Sequence, residues 1–529
     1  MPDSDASLRR QAPSTDGYAL SLREWIGFIA MVFGIFMAIL DIQIVASSLE
    51  QIQSGLSATR DEITWVQTAY LIAEVVVIPL SGWLARALST RWLFALSCAG
   101  FTLMSLLCAL AWNLDSMIFF RGLQGFFGGA MIPTVFSVIY SLFPPRLQPA
   151  MVVVVGLVVT VAPTAGPVLG GYLTDSISWK ALFLVNLLPG VLVTVLVWLF
   201  VRVDEPEWQL LDAIDFRGIV FLVVFLGSLQ YVLEEGVRNQ WFESGRIAGL
   251  FLVAVISGIL LLYRELTFSA PVVDLRAFRD WNFSVGCLFS FILGIGLYTI
   301  IYLMPVYLAN VKGLNSLQIG QYIMVAGLFQ FVSAFVAGPL AKVMDSRLML
   351  AAGLFMFGLG CWMNGNLTQQ DGYWEFFWPQ ALRGFALMFC FLPINSLALG
   401  TLPAAEVKNA SGLYNLMRNL GGAIGLAVAN TLMIYWNKLH YARLRESVVQ
   451  GGLIPESLLY QMQERLDLAG VSDTTVGALK QLTALVVRES EVLTINALFH
   501  ALGWVFFFAL LLMPLVRRVV PEDAHGAAH

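Results

Sequence analysis

The sequence is short of charge. Only 12% of its 529 residues are Asp, Glu, Lys or Arg, whereas 58% are hydrophobic and the mean hydropathy is +0.77. Soluble domains carry about twice that share of charge, so these polar groups are too few to cover a soluble chain of this length. The net charge of −5 gives no sign of a nucleic acid partner. The composition therefore indicates an integral membrane protein.

Residue types that supply much enzyme chemistry are also scarce. The five cysteines all fall within apolar runs, which leaves neither a disulfide framework nor a Cys-x-x-Cys metal site. The four histidines show no metal-ligand spacing, and no Gly-x-Ser-x-Gly sequence occurs. No lysine follows a glycine, as a phosphate-binding loop requires. We therefore expect no enzyme, metal or cofactor, and we expect proton-motive force rather than ATP as the energy source.

Long apolar runs, in contrast, are abundant. We count fourteen, each long enough to cross about 30 Å of hydrocarbon as a helix. Lys and Arg concentrate in loops on the side of the N-terminus, which predicts that both termini are cytoplasmic. We predict an all-α membrane fold built from two six-helix bundles, 24–201 and 282–516, with two inserted helices and their cytoplasmic linkers, 202–281, between them. The second bundle includes a periplasmic loop, 438–492. The two tails, 1–23 and 517–529, are predicted to be cytoplasmic.

An internal repeat divides the chain into two halves. The stretch SGWLARALSTRW at 81–92 returns as AGPLAKVMDSRL at 337–348, and LQGF at 123–126 returns as LRGF at 382–385. Two parallel halves are a transporter design in which the bundles rock about a central site. We predict that the two basic loops are cytoplasmic gates, with Gly82, Arg86 and Arg91 in the first copy and Gly338, Lys342 and Arg347 in the second.

Ionisable residues inside a span are costly and are functional candidates by default. Counting about 1.5 Å of rise per residue from the span ends places Asp41 and Arg121 at similar depths. We interpret them as a proton site in which Asp41 binds a proton when its arginine partner moves away. A permanent ion pair that only fixes helix packing is the alternative.

Further polar residues suggest a substrate cavity. Gln67, Tyr70 and Glu74 share one helix face by their spacing, which suits a cationic, partly aromatic ligand. Glu74 is then a second proton site or a cation anchor; a protonated carboxyl bonded to a neighbouring helix is the alternative. Two arginines either hold an anionic group or tie helices together. The candidate cavity residues are Gln67, Tyr70, Glu74, Gln124, Arg383, Asn415 and Arg418.

Several motifs carry a family resemblance. Leu40-Asp41-Ile42-Gln43-Ile44-Val45 resembles the signature that ends the first span of the major facilitator superfamily's drug:proton antiporters, and FRGLQG at 120–125 resembles their fourth-span motif. APTAGPVLGG at 162–171 resembles the fifth-span antiporter motif, whose glycines permit close helix contact and whose prolines permit a bend. Its key residues here are Pro163, Gly166, Pro167, Gly170 and Gly171. The chain thus resembles a fourteen-span member of the EmrB/QacA type.

This resemblance implies proton-driven export of lipophilic drugs or toxic compounds across the bacterial inner membrane by alternating access. It also implies a periplasmic adaptor (EmrA-like) and an outer-membrane channel (TolC-like), with 438–492 as a docking surface; a passive hairpin is the alternative for that segment. A dedicated proton-coupled exporter of one metabolite, a fatty acid or siderophore, is the alternative function. One departure is Arg86, which stands where the family's loop motif has an aspartate.

Overall fold

The computed structural model describes residues 20–59, 62–212, 214–268, 271–341, 343–449, 456–468 and 473–517. All regular elements in these segments are helices. Most of the two predicted tails, 1–23 and 517–529, and the predicted gate residue Lys342 lie outside the described residues. So do parts of the predicted loop 438–492.

The first half of the chain contains the helices that surround the candidate proton site. They are α1 (Leu22–Ser47), α2 (Leu49–Leu56), α3 (Trp65–Leu88), α4 (Thr90–Ala109), α5 (Leu114–Gly129), α6 (Met131–Leu142), α7 (Gln148–Ser176), α8 (Ala181–Leu184) and α9 (Leu187–Phe200). α5 with α6, and α8 with α9, each form one membrane-crossing unit. We call the membrane face at which α1 begins the near face, and the opposite one the far face.

The rest of the chain adds two inserted helices and a second half. They are α10 (Phe216–Glu235), α11 (Gly245–Thr267), α12 (Trp281–Asn310), α13 (Ser316–Leu340), α14 (Ser346–Asn364), α15 (Tyr373–Leu399), α16 (Ala404–Val449), α17 (Glu456–Leu468) and α18 (Thr474–Leu510). Among the described residues, twelve helices are long and apolar enough to cross a membrane, and α7 is a thirteenth if its two arms form one span. The all-α membrane fold is confirmed, and the count of fourteen stays a prediction.

The segment predicted as the loop 438–492 is largely helical in its described part. α16 continues to Val449, α17 follows, and α18 already begins at Thr474. α17 packs along α18, where Leu466 lies beside Gly477. Amphipathic sequence of this kind forms helices because it can bury one face on a neighbour. Most of the described part of this segment is therefore helical, and its periplasmic position stays a prediction.

The two inserted helices form a hairpin beside α3. α10 packs on α11 and on α3, and at the near face Asp215 joins α10 to α11. Its carboxylate accepts the N–H of Gly218 at 3.0 Å and the Nε–H of Arg264 at 2.9 Å. Burial raises the pKa of Asp215, but these hydrogen bonds outweigh burial and hold the pKa below its usual value. The ion pair fixes the hairpin's near-face end.

Close packing of α3 on α5 depends on two glycines. Gly125 and Gly129 lie one turn apart on α5, against the backbone of α3. A Cβ added at Gly125 would overlap the carbonyl oxygen of Tyr70, and one at Gly129 would lie 2.7 Å from that of Glu74. Small residues at this spacing allow helix backbones to touch in a membrane. They place α3 directly beside the polar face of α5.

We predict that Gly125→Ala lowers the midpoint temperature of unfolding in detergent, because its methyl group has only backbone to displace; overpacking costs about 1–3 kcal/mol. Gly122→Ala is the matched control, since a Cβ there meets its nearest atom, the carbonyl oxygen of Ala69, at 4.0 Å. Both changes bring the same gain in helix propensity. Equal melting temperatures for the two variants would contradict the packing argument.

Candidate functional site

Hydrogen-bond donors from neighbouring helices converge on Asp41, which is fully buried in α1. Nη1 of Arg121 lies 2.5 Å from its Oδ2. Its Oδ1 accepts from Nδ2 of Asn186 at 2.7 Å and from Nε2 of Gln124 at 3.2 Å. A buried charge that lost such partners would be costly by several kcal/mol. The structure thus brings together Asp41 and Arg121, which sequence depth alone had placed at similar heights.

A second layer of hydrogen bonds holds these donors in place. Ser105 on α4 accepts from Gln124 at 3.2 Å and from Asn186 at 3.0 Å. Arg121 also donates from Nη1 to Oε1 of Gln124 at 2.7 Å, and from Nε to the carbonyl of Val66 on α3 at 3.2 Å. The network connects α1, α3, α4, α5 and the start of α9. Ser105 and Asn186 were not among the predicted site residues. Asn186 does belong to a stretch that resembles the family's W-x3-F-x2-N-x2-P-G entry to the sixth span, formed here by Trp179, Phe183, Asn186, Pro189 and Gly190.

Two polar groups beside this ion pair have no partner in the described part of the chain. The guanidinium carbon of Arg121 lies 4.3 Å from the ring centroid of Tyr70, a cation–π contact. Nη2 of Arg121 and the hydroxyl of Tyr70 are both buried and unpaired. Unpaired buried groups cost about 1–3 kcal/mol each and call for an explanation. Entry of water or a change of partner would supply one here.

Glu74 lies one turn beyond Tyr70 on α3 and is separate from this network. Its side chain is 7% exposed, and its carboxyl has no hydrogen bond among the residues described. Arg121 of the first half and Arg418 of the second are its main electrostatic neighbours. The predicted stripe is therefore divided: Tyr70 contacts Arg121, Glu74 stays outside the Asp41 hydrogen bonds, and Gln67 is half-buried with an Oε1 that has no partner among the described residues.

Arg418 lies where the two halves meet. Its guanidinium carbon is 5.9 Å from the ring of Phe136 on α6 and 5.7 Å from that of Phe391 on α15. Nη2 donates to Oδ1 of Asn415 at 2.5 Å, and Nη1 has no partner in the described part of the chain. Asn415 and Arg418 thus occupy a central position, with one guanidinium nitrogen free for another acceptor.

Between Arg418 and the near face, the two halves are in contact. Tyr140 on α6 donates to Asn395 on α15 at 3.0 Å, and Asn395 donates to the hydroxyl of Tyr414 at 3.3 Å. Nearer the face, Gly82 packs on α16 so closely that an added Cβ would lie 2.6 Å from Cα of Asn409. Layers of tyrosine and glycine contacts therefore close the near face.

A polar contact between α12 and α16 lies beside Arg418. Tyr298 on α12 donates to Oδ1 of Asn419 at 3.0 Å and is 39% exposed. Its ring packs against Gly422, and Asn419 directly follows Arg418 on α16. The halves also meet toward the far face, where Gly320 of α13 packs on Val168 of α7.

An ion pair that the sequence analysis missed also joins the halves at the near face. Asp204, in the linker after α9, accepts the backbone N–H of Thr90 at 3.0 Å and pairs with Lys408 of α16. Glu207 in the same linker donates its N–H to the carbonyl of Arg86 at 3.0 Å. A linker carboxylate therefore lies beside the loop in which Arg86 replaces the family's aspartate. In the sequence, the absence of the aspartate from this loop was the signal that a carboxylate from elsewhere could lie beside it.

The remaining predicted gate residues differ between the two copies. The guanidinium of Arg91 lies 4.9 Å from the ring of Trp198 on α9. Gly338 has open space around its Cα, and Arg347 is bonded locally through its N–H to Asp345 at 2.9 Å. The first loop copy adjoins the contact between the halves at Gly82, whereas in the described part of the second copy Gly338 touches no residue of the other half.

The antiporter motif shapes α7. The helix bends by 42° after Pro163. Gly166 packs on Gln43 of α1, two residues beyond Asp41, and an added Cβ at Gly170 would lie 2.6 Å from Oγ of Ser47. The bend and the glycines thus bring α7 against α1 beside the buried carboxylate; the same turns contain Pro167 and Gly171.

Arg383 does not lie beside the other predicted cavity residues. It is buried within the second half, where its Cγ packs against Gly360 of α14, and its Nη2 donates to Oε1 of Gln380. Gln124, its counterpart in the repeat, belongs instead to the Asp41 network.

Two helical halves that meet around buried central charges and are closed at one face define a membrane transporter of the alternating-access class. The profile of the Major Facilitator Superfamily matches residues 31–426, and the chain belongs to this superfamily. It is a family of transporters rather than of enzymes.

Individual proteins with similar sequences show which kind of transporter within the superfamily the chain resembles. The colistin resistance protein EmrB of Acinetobacter baumannii is 41% identical over 468 residues, 88% of this chain and 90% of that protein. The multidrug export protein EmrB of Escherichia coli is 30% identical over 500 residues, 94% and 96%. The fatty acid resistance protein FarB of Neisseria gonorrhoeae is 28% identical over 518 residues, 97% and 99%. The chain is thus an EmrB-like pump, a multi-pass protein of the bacterial inner membrane.

A solved structure agrees on the fold. The major facilitator proton:xylose symporter XylE matches with a TM-score of 0.58 over 94% of this chain and 96% of its own, at 12% identity. At that identity the likeness concerns the fold alone.

We predict that Arg121→Gln destabilises the protein by about 3–5 kcal/mol, because it leaves the Asp41 carboxylate buried without its cation. Combining Arg121→Gln with Asp41→Asn removes the stranded charge and should recover part of the loss. Thermal unfolding in detergent measures both. A double variant no more stable than Arg121→Gln would show that the two side chains are not coupled.

We predict that Asp204→Asn weakens the near-face contact and increases the share of molecules open at that face. A reporter cysteine at Ser411, which is buried there, should react faster with a maleimide in the Asp204→Asn background. Glu205→Gln is the matched control, since it is the exposed neighbour on the same linker. Equal labelling rates in the two backgrounds would argue against the ion pair as a gate.

Proposed function

We propose that the chain is a proton-driven exporter of lipophilic compounds, the inner-membrane pump of a tripartite efflux system. The observation that carries this is the buried Asp41, held by Arg121 at 2.5 Å inside a network of neutral donors. A carboxylate with a single, displaceable cation is suited to bind and release a proton. In the proposed topology α7 and α16 bring the twelve spans to fourteen, both termini are cytoplasmic, and the near face is the cytoplasmic one.

Protonation of Asp41 would change the forces between α1 and α5. A neutral carboxyl attracts Arg121 far less strongly in a low-dielectric interior, and the guanidinium is then held mainly by Val66, Gln124 and the ring of Tyr70. Because α5 packs backbone to backbone on α3, a shift of Arg121 would be transmitted to α3 and to its contact with α16 at the near face. In this mechanism the proton state of Asp41 biases which face is closed.

The central site would bind amphipathic compounds. Glu74 and Arg418 offer charges of both signs, and Phe136, Phe391 and Tyr298 offer apolar and aromatic surface beside them. Aromatic rings attract cations through their faces, and an acid without hydrogen bonds can serve either as a cation anchor or as a second proton site. This mixture supports a broad range of lipophilic substrates.

The helical segment at the far face is the proposed docking surface for a periplasmic adaptor, through which an outer-membrane channel would be reached. α17 and the extensions of α16 and α18 present exposed apolar side chains there, among them Tyr460, Leu468 and Leu479. Such exposed apolar groups on a surface that carries charge are typical of interaction sites.

A narrower function has one observation in its favour. The unpaired Nη1 of Arg418 would suit the carboxylate of a fatty acid or the acidic group of a siderophore. A dedicated proton-coupled exporter of one such metabolite is therefore the second candidate. FarB, named for fatty acid resistance, shares 28% identity with the chain.

The test uses energised inside-out vesicles and a dye that reports the pH gradient. We predict that a lipophilic cation dissipates the gradient in wild-type vesicles and that Asp41→Asn abolishes this response, because the amide cannot carry the proton. Asp115→Asn, an exposed acid on the first turn of α5, is the matched control and should respond like wild type.

Two further outcomes would change the proposal. A response to fatty acids alone would favour the dedicated exporter. An Asp41→Asn variant that still couples protons to cation export would make Asp41 part of a structural ion pair.

Glu74→Gln separates the two roles proposed for Glu74. Loss of proton coupling for every substrate would indicate that Glu74 is a proton site, and loss of the response to cations alone would indicate that it is a cation anchor.

A further inference from the structure

The second half repeats the polar positions of the Asp41 network with the charge rearranged. At the repeat offset of 259 residues, Gln380 corresponds to Arg121 and Arg383 corresponds to Gln124. Both pairs lie one turn apart and bond to each other, Arg121 to Gln124 and Arg383 to Gln380. Arginine and glutamine have thus exchanged places between two equivalent helices, α5 and α15.

In the part of the chain that the structure describes, no carboxylate pairs with Arg383 of the second half. The position that matches Asp41 at the same offset is Ile300. Arg383 is 3% exposed and forms no ion pair within the described segments, where its only hydrogen bond goes to Gln380. Its Nε and Nη1 are buried without partners. A buried cation without a counter-charge is strongly disfavoured in a membrane interior, so a negative group is required.

Neighbouring side chains offer further unused donors. Within the described residues, Nε2 of Gln380 has no partner, and Asn364 is fully buried with both amide atoms unpaired. Asn364 lies one turn beyond Gly360, the residue that packs on Arg383, and therefore shares its face of α14. A stretch of the contact between α14 and α15 is thus lined by unpaired N–H groups and one arginine charge. Water would satisfy the donors but not the charge.

We propose that a small inorganic anion, of the size of chloride, binds between α14 and α15 and is held by Arg383, Gln380 and Asn364. It supplies to the second half the counter-charge that Asp41 supplies to the first. The two differ in one chemical respect: a carboxylate can take up a proton, whereas chloride cannot do so at any physiological pH. The second half therefore stays neutralised while only the first half responds to protons.

The test compares thermal unfolding of the purified protein in sodium chloride and in sodium gluconate at equal ionic strength, since gluconate is too large for a buried site. We expect the melting temperature to rise with chloride and to saturate, as stabilisation by a bound ligand does. Wild-type protein that melts at one temperature in both salts would show that the site holds only water.

Gln380→Glu keeps the bond from Arg383 and adds a built-in carboxylate, so it should fold and should lose most of the chloride dependence. Gln461→Glu, the same change on exposed α17, should keep the chloride dependence. Arg383→Gln should also remove the chloride dependence, but this variant is not decisive by itself, since loss of the arginine can prevent folding. Full chloride dependence in Gln380→Glu would place the anion elsewhere and overturn the proposal.

Discussion

The ion pair between Asp41 and Arg121 is the constraint on which the first half depends. Neither charge has contact with solvent, and a membrane offers no water to replace a lost partner. Every helix around the pair must therefore present a polar group to it, and Gln124, Asn186 and Ser105 do so. The glycines of α5 and α7 follow from the same need, since only close helix contacts keep this network dry.

The two halves each bury an arginine, but they surround its charge with different groups. The first neutralises its buried arginine with a carboxylate from another helix, while the second buries Arg383 beside neutral amides. The contact between the halves is correspondingly asymmetric. The first basic loop adjoins α16 through Gly82 and lies beside the Asp204–Lys408 pair, whereas Gly338 has open space around it. Sequence repetition thus coexists with a clear division of roles.

Much of the site was predictable because a charged residue within a membrane span indicates a functional or paired side chain. A charged residue within an apolar run must have a partner, and simple depth counting placed Asp41 and Arg121 at one level. The motif glycines were predictable for a similar reason, since they mark close helix contacts. Asp204 was not predictable in this way. It lies in a linker, where a charge costs little free energy because water can solvate it, and its partner is 204 residues away. The neutral donor Ser105 gave no signal of its own, and the motif that contains Asn186 did not indicate its contact with Asp41.

The sequence by itself determined the apolar helices, the two repeated halves and the residues that cannot remain unpaired in a membrane, because these follow from local composition and spacing. Tertiary structure alone decided which charges meet. It brought Tyr70 against Arg121 and left Glu74 outside the Asp41 network, enclosed Arg383 within the second half, and closed the near face through Tyr140, Asn395 and Tyr414. Those choices depend on helix rotation and on contacts between distant segments, which no local pattern records.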